Sequence, residues 1–195
     1  DYLAHEVLAA LPALPPEFLR DVAVLEQVDA AAANVLRERG DSLALIRQLA
    51  RMRPVVVVDE QSWSARLHPL LRDYLTDALE LARPDRAALL HLRAARHLAQ
   101  LPPGQRRLHE AVAHAVAGGR LDLGADIIEA AGGFRLFADE GEVRVRLMLQ
   151  QLPAATLRRR PRLRLLQLMG QAVEGGPAGT LAAFERLEQQ IRDAD

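Results

Sequence analysis

The sequence contains no cysteine and no lysine, and all 25 of its basic residues are Arg. Without a thiol there is no cysteine nucleophile, disulfide, zinc–thiolate site or iron–sulfur cluster. Without lysine there is no Walker-type phosphate loop and no Schiff-base amine. Serine occurs only at Ser42, Ser62 and Ser64, none of them in the GxSxG turn of a serine hydrolase. Aromatic residues make up 4% of the chain. No apolar run reaches the roughly 18 residues that span a bilayer, so no membrane partner is expected. No basic segment with a cleavage site precedes the first helix, and the cytoplasm is the expected compartment.

What is abundant is Leu, with 35 residues, and Ala, with 34, in a chain of 195. A Leu/Ala/Arg/Glu mixture of this kind favours helices. The same shortage of Lys beside plentiful Arg, Ala and Gly is also what a GC-rich genome encodes. The length permits one or two domains with a real core. The chain opens at Asp1 and is expected to be a piece of something longer.

The formal charge of −1 hides a division. Residues 1–82 carry 8 Arg against 13 acids, and residues 83–160 carry 13 Arg against 8 acids. The remainder has 4 Arg and 5 acids. The break near Arg83-Pro84 coincides with a change of element pattern, which predicts a domain boundary there: a linker helix at 1–14, one domain at 15–83 and a second at 84–195.

Along the chain, Asp1–Leu11 reads as a short helix ended by Pro12. Pro16 suits the first turn of the next helix, with Phe18, Leu19 and Val22 on its buried stripe. Asp29 is placed to cap a helix over Ala30–Arg39, closed by Gly40. Asp41-Ser42 start a third helix whose stripe is Leu43, Ile46, Leu49 and Ala50, ending before Pro54. The period then changes. Val55–Val58 is a β-branched run, Asp59–Ser62 has turn chemistry, and Trp63, Ala65 and Leu67 alternate with Ser64, Arg66 and His68. Pro69 opens another helix with Leu71, Tyr74, Leu75, Ala78 and Leu79 inward and Asp73, Asp77 and Glu80 outward.

Three helices and a two-stranded hairpin predict a winged helix in a mainly α chain. Beyond Asp85 only helices are expected, paired as 85–101 with 105–117, 121–131 with about 140–152, and 161–174 with 179–193. A recurrence of roughly 35 to 40 residues resembles incomplete tetratricopeptide-type stacking, which builds a superhelix with a concave surface.

Candidate sites are few. His109 and His114 nearly spell a zincin motif, but five positions on a helix put them about 140° apart. His91 and His97 are six apart and equally ill placed, so no metal site is predicted. Asp139, Glu140 and Glu142 read as acids at a helix start, and no catalytic residue is predicted. Arg158–Arg164 is the strongest charge cluster. It reads either as a polyanion patch or as arginines complementing a helix C-terminus before Pro161. Residues 15–82 hold 8 Arg against 11 acids, a poor balance for neutralising DNA phosphates. The candidate recognition helix offers Arg47, Arg51 and Arg53, with Gln48 for base reading.

Several stretches resemble the MalT-type, LuxR-family transcriptional regulators. They are Asp1–Leu8, Phe18–Leu25, Trp63–Leu75, Leu89–Leu98, Glu110–Gly119, Ala125–Gly132 and Leu152-Pro153 with Arg160–Leu163. Trp63-Ser64-Ala65-Arg66-Leu67-His68-Pro69 is the most specific of them, although Ala65, Leu67 and Leu71 stand where that family has aromatic residues. The resemblance implies a regulatory fragment without catalysis of its own, from a signal-responsive, ATP-dependent activator. It would hold the winged helix and the start of a tetratricopeptide-like sensor. An ATPase module would lie upstream and supply ATP or ADP binding, with no cofactor in this fragment. An inducer or regulatory protein would bind the helical array, and DNA would be bound only through a C-terminal helix-turn-helix elsewhere. By position in the motif, His68 would reach the β-phosphate of ADP. The rival expectation is a free-standing winged-helix repressor with a helical dimerisation domain.

Overall fold

The computed structural model describes residues 15–52, 55–102 and 104–171, together with positions 181 and 185. The helix expected at Asp1–Leu11 and most of that expected at 179–193 lie outside the described residues. Two compact units divide between His97 and Leu98. The first holds α1 (Pro16–Val22), α2 (Ala30–Arg37), α3 (Ser42–Leu49), a 3-10 turn (Ala50–Met52), β1 (Val56–Asp59), β2 (Ser64–Leu67) and α4 (Pro69–Ala82). It also takes in most of α5 (Pro84–Gln100), within which the division falls.

Local chemistry sets the helix starts. Pro16 occupies the first position of α1, where its missing N–H costs nothing. The Asp29 carboxylate accepts from the Ala32 amide at 2.8 Å and caps α2. The end of α2 differs from expectation: the helix stops at Arg37, not Arg39, because Glu38 turns left-handed (φ 55°) ahead of Gly40. A non-glycine residue there is held by a long-range partner. Arg93 of α5 donates to the Leu36 carbonyl at 2.6 Å and pairs with the Glu38 carboxylate at 2.7 Å. One guanidinium thus satisfies a helix-end carbonyl and fixes the residue that ends the helix.

The link from α2 to α3 is similarly tied. The Asn34 side-chain oxygen accepts from the Ser42 amide at 3.1 Å, and Arg37 donates to the Ser42 hydroxyl at 2.9 Å and to Asp41 at 2.6 Å. The Arg37 guanidinium also lies 4.8 Å over the Phe18 ring. Because Ser42 is fully buried, the inward stripe of α3 is Ser42, Leu45, Ile46 and Leu49. Leu43, expected inside, is exposed.

The hairpin is antiparallel, pairing Val56 with Leu67, Val57 with Arg66, Val58 with Ala65 and Asp59 with Ser64. Ala65 is also bridged on its other side by Val28, through Val28 N–H to Ala65 O at 2.8 Å and Ala65 N–H to Val28 O at 2.7 Å. That second pairing lies in the link before α2 and has no strand-like run to announce it. Ala65 and Leu67 face the core and Trp63 packs half-buried against it, as the alternation predicts. Ser64 is buried as well, under Gln27, whose side-chain amide donates to the Ser64 hydroxyl at 3.0 Å and accepts from Arg66 at 3.3 Å. The core joins Phe18, Leu19, Leu36, Ile46, Val56, Leu75 and Leu90. α4 buries Leu71, Leu75 and Leu79 as its spacing requires. The charge break at Arg83-Pro84 and the end of this core are different places, since Ala87, Leu90 and Ala94 of α5 belong to the core.

The second unit contains α6 (Leu108–Ala117), α7 (Leu121–Ala130), α8 (Phe134–Glu140), α9 (Glu142–Gln150), α10 (Ala154–Arg158) and a helix over 161–171. Its closest pairing is α6 with α7, while α9 packs on α6 and α10 on α7. This corrects the expected pairing of 121–131 with about 140–152. Gly124 explains the close approach: a Cβ there would lie 3.3 Å from Leu152 and 3.6 Å from Ala115. α8 and α10 were not expected; Gly141, at φ 79°, separates α8 from α9 where one continuous helix begins in the sequence reading.

Two stability effects follow. Leu75→Ala removes a fully buried side chain from the first core and should lower unfolding free energy by about 2–5 kcal/mol in urea titration. Asp29→Ala should cost about 1 kcal/mol through the lost cap.

Candidate functional site

His68 stands where β2 gives way to α4. Its amide donates to the Val55 carbonyl at 2.9 Å, closing the base of the hairpin. Its backbone (φ −56°, ψ 135°) is the extended form that a following proline imposes. Pro69 has no N–H, so the first unsatisfied donor of α4 is the Leu70 amide, and His68 Nδ1 accepts from it at 3.3 Å. A neutral imidazole that accepts through Nδ1 carries its proton on Nε2. The side chain is exposed. His68 is therefore a helix cap with a donor nitrogen left over.

The surface beside it is apolar and basic. Val57, 67% exposed, pairs with exposed Arg66 on the outer face of the hairpin, and Leu70, 68% exposed, follows in the first turn of α4. Asp59 lies at the far end of that face, where the Ser62 hydroxyl (2.6 Å) and Gln61 amide (2.9 Å) donate to its carboxylate and hold it below the usual carboxylate range.

The recognition-helix position shows a different character. The outward side of α3 presents Leu43, Ala44 and Arg47. Arg47 lies 4.9 Å over the Trp63 ring, a cation–π contact that ties α3 to the wing. Arg51 is exposed, and Arg53 lies outside the described residues. With Arg37 bound to Asp41 and Ser42, this face offers few free cations to a phosphate backbone among the described residues.

The remaining sequence candidates are placed as follows. His114 is buried on α6 and His109 is half-buried. Asp139, Glu140 and Glu142 pair with Arg135 (3.3 Å), Arg144 (3.5 Å) and Arg146 (3.8 Å), each four residues away on the helical surface. Among the described residues no three His, Asp or Glu side chains gather to hold a metal ion, and no helix is long and apolar enough to cross a membrane. The Arg158–Arg164 cluster does not act as one unit. Arg160 reaches Asp122 (3.4 Å), Asp126 and Glu129 (3.1 Å), three acids on one face of α7. Neither reading of that cluster anticipates the clasp, because its acids lie far back in the sequence. The ties made by Arg93 and by Arg86, which bonds Asp21 at 2.6 Å and 3.3 Å, were equally out of sight.

Fold and hairpin together define a winged-helix region followed by helices. Residues 4–87 match the family model of the MalT winged helix domain, which supports a MalT-like, regulator-type winged-helix region in this part of the chain. The whole chain is similar to the serine/threonine-protein kinase PknK of Mycobacterium tuberculosis (strain ATCC 25618 / H37Rv), 27% identical over 198 residues. That match covers 100% of this chain and 17% of that protein. PknK of Mycobacterium bovis (strain ATCC BAA-935 / AF2122/97) matches with the same identity and coverage. The chain thus spans 17% of the length of the curated relatives it matches.

One buried titratable group stands apart from this surface. His91 of α5 is buried, with Nε2 3.9 Å from Glu80. Burial pushes its imidazole below the ordinary value, and the Glu80 carboxylate offsets part of that. A base harder to protonate folded than unfolded stabilises the fold above the unfolded value of about 6.5, and that stability is lost as pH falls through it. Asp41 and Asp59 titrate below this window, because hydrogen bonds from Arg37 and Ser62 respectively lower both. Thermal melts at pH 7.5 and 5.5 should show a smaller pH-dependent drop for His91→Gln than for the unsubstituted chain. Equal drops would exclude His91 as the source.

Proposed function

We propose that this chain is a regulatory region of a LuxR-family, ATP-dependent transcriptional activator of the cytoplasm. In this reading the winged helix senses the nucleotide state of an upstream ATPase module. The tetratricopeptide-like helical unit receives an inducer or partner protein, and DNA is bound elsewhere in the full-length protein. The observation that carries it is the geometry of His68. Its Nδ1 is anchored on the Leu70 amide, which leaves an exposed Nε2–H beside the apolar and basic patch of Val57, Arg66 and Leu70. Such a donor suits a phosphate oxygen of ADP, and the patch suits a protein face. The match of residues 4–87 to the MalT winged helix domain supports the same reading.

A second reading has its own support. The similarity to PknK runs the length of both units, so the regulated output of the full-length protein could be phosphoryl transfer to Ser or Thr in place of transcription. The role of the winged helix is the same in either case. A free-standing DNA-binding repressor is disfavoured by the acidic balance of residues 15–82 and by the Arg47–Trp63 stack.

Because His68 also caps α4, alanine would confound two effects. His68→Asn keeps an N-cap side chain while removing the imidazole. In the full-length protein it should leave the melting temperature near that of the parent, weaken ADP by about tenfold and raise basal output. Unchanged ADP affinity would remove the proposed role of His68. Salt-sensitive duplex binding by the 195-residue chain would instead favour the repressor.

A further inference from the structure

Between Glu142 and Glu174 the chain contains seven Arg and no acid. Three of the seven are neutralised from elsewhere: Arg144 by Glu140, Arg146 by Glu142, and Arg160 by the triad on α7. Among the described residues no carboxylate lies within ion-pair distance of Arg158, Arg159, Arg162 or Arg164. Two of these four converge. Arg158, at the end of α10, and Arg164, on the helix over 161–171, line one cavity of about 350 Å³. Gln167 and Gln171 line it from the same helix, at spacings of three and seven residues from Arg164, which is one helical face. Its apolar wall is Leu157 and Leu168, both buried.

Both arginines are open to a ligand from solvent, Arg158 being exposed and Arg164 half-buried. The neighbouring Arg160 shows that the second unit can supply carboxylates to an arginine in this stretch. Here it supplies amide side chains, which can donate to an anion without competing for the charge. Planar guanidinium forks match carboxylate and phosphate oxygens. The volume is at the small end of ligand pockets, and the leucine wall favours a ligand with an apolar part over a bare ion.

We propose that this cavity binds a small organic anion, with the phosphate or carboxylate held between Arg158 and Arg164, steadied by Gln167 and Gln171, and the apolar portion against Leu157 and Leu168. The inference deepens the reading of the second unit as the part that receives an inducer, and names the chemistry of that inducer. It does not depend on His68.

The test is calorimetric titration of the 195-residue chain with phenyl phosphate, with inorganic phosphate and benzyl alcohol as comparison arms. Phenyl phosphate should bind saturably at one site, more tightly than either fragment of its structure. Arg158→Gln and Arg164→Gln should each weaken it by about tenfold, while Arg159→Gln and Arg162→Gln change it by less than about twofold. Side-chain Nε–Hε NMR signals of the unsubstituted chain should shift for two arginines, a readout that needs no variant to fold. Absence of saturation at about 10 mM would overturn the proposal. So would equal loss across all four variants, or tighter binding of duplex DNA with that same uniform loss, which would make the region a diffuse polyanion surface. Failure here leaves the coupling at His68 standing. Binding of phenyl phosphate that never alters the output of the full-length protein would keep the site and remove the inducer role.

Discussion

The two-way backbone exchange between Val28 and Ala65 is the constraint on which the first unit turns. Ala65 already pairs with Val58 across the hairpin, so the bridge to Val28 satisfies β2 on both edges and fastens the wing to the link before α2. Ala65 is fully buried, and a larger residue there would meet the core that the bridge holds in place. With β2 fixed, its last residue is fixed too, and Pro69 must begin α4 immediately afterwards. His68 has its position and its capping role because of that short chain of causes.

Arginine performs the long-range tying throughout, in a chain without lysine. Arg93 joins α5 to the end of α2, Arg86 joins α5 to α1, and Arg160 joins the start of the helix over 161–171 to α7. Each contact uses several donors of one planar group, which a single ammonium could not reproduce in the same geometry. Exposed pairs such as Arg135 with Asp139 contribute little. Arg93 differs, because it reaches a backbone carbonyl that helix formation leaves without an internal partner. The net charge near zero therefore conceals arginines of two kinds: some bound inside the architecture, and some, such as Arg158 and Arg164, left facing a cavity.

Much of the fold could be read from the residues. Pro16, Asp29 and Pro69 mark helix starts by chemistry confined to one turn, and the Val55–Leu67 alternation marks a hairpin through a period of two. The failures have a common form. Arg37 rather than Arg39 ends α2 because Arg93, far along the chain, stabilises Glu38 in a left-handed conformation. Ser42 replaces Leu43 on the inner face of α3 because Arg37 and Asn34 satisfy its polar atoms. α7 pairs with α6 because Gly124 permits close approach. Of the candidate site, His68 was legible as a strand-ending residue before proline, whereas the tautomer set by Leu70 and the patch shared with Val57 were not.

The sequence by itself determined the helical composition, the hairpin, the thiol and lysine chemistries that no residue here can perform, and the resemblance to MalT-type regulators carried by the Trp63–Leu75 stretch. Only the tertiary structure decided which arginines are bound and which are available, which helices are partners, and what each histidine faces. The division has a physical cause. Periodicity and capping are written within a few residues of where they act, because hydrogen bonds along a helix or across a tight hairpin are local. An ion pair or a close helix contact joins residues that only packing brings together, and their identity is fixed by distance in space.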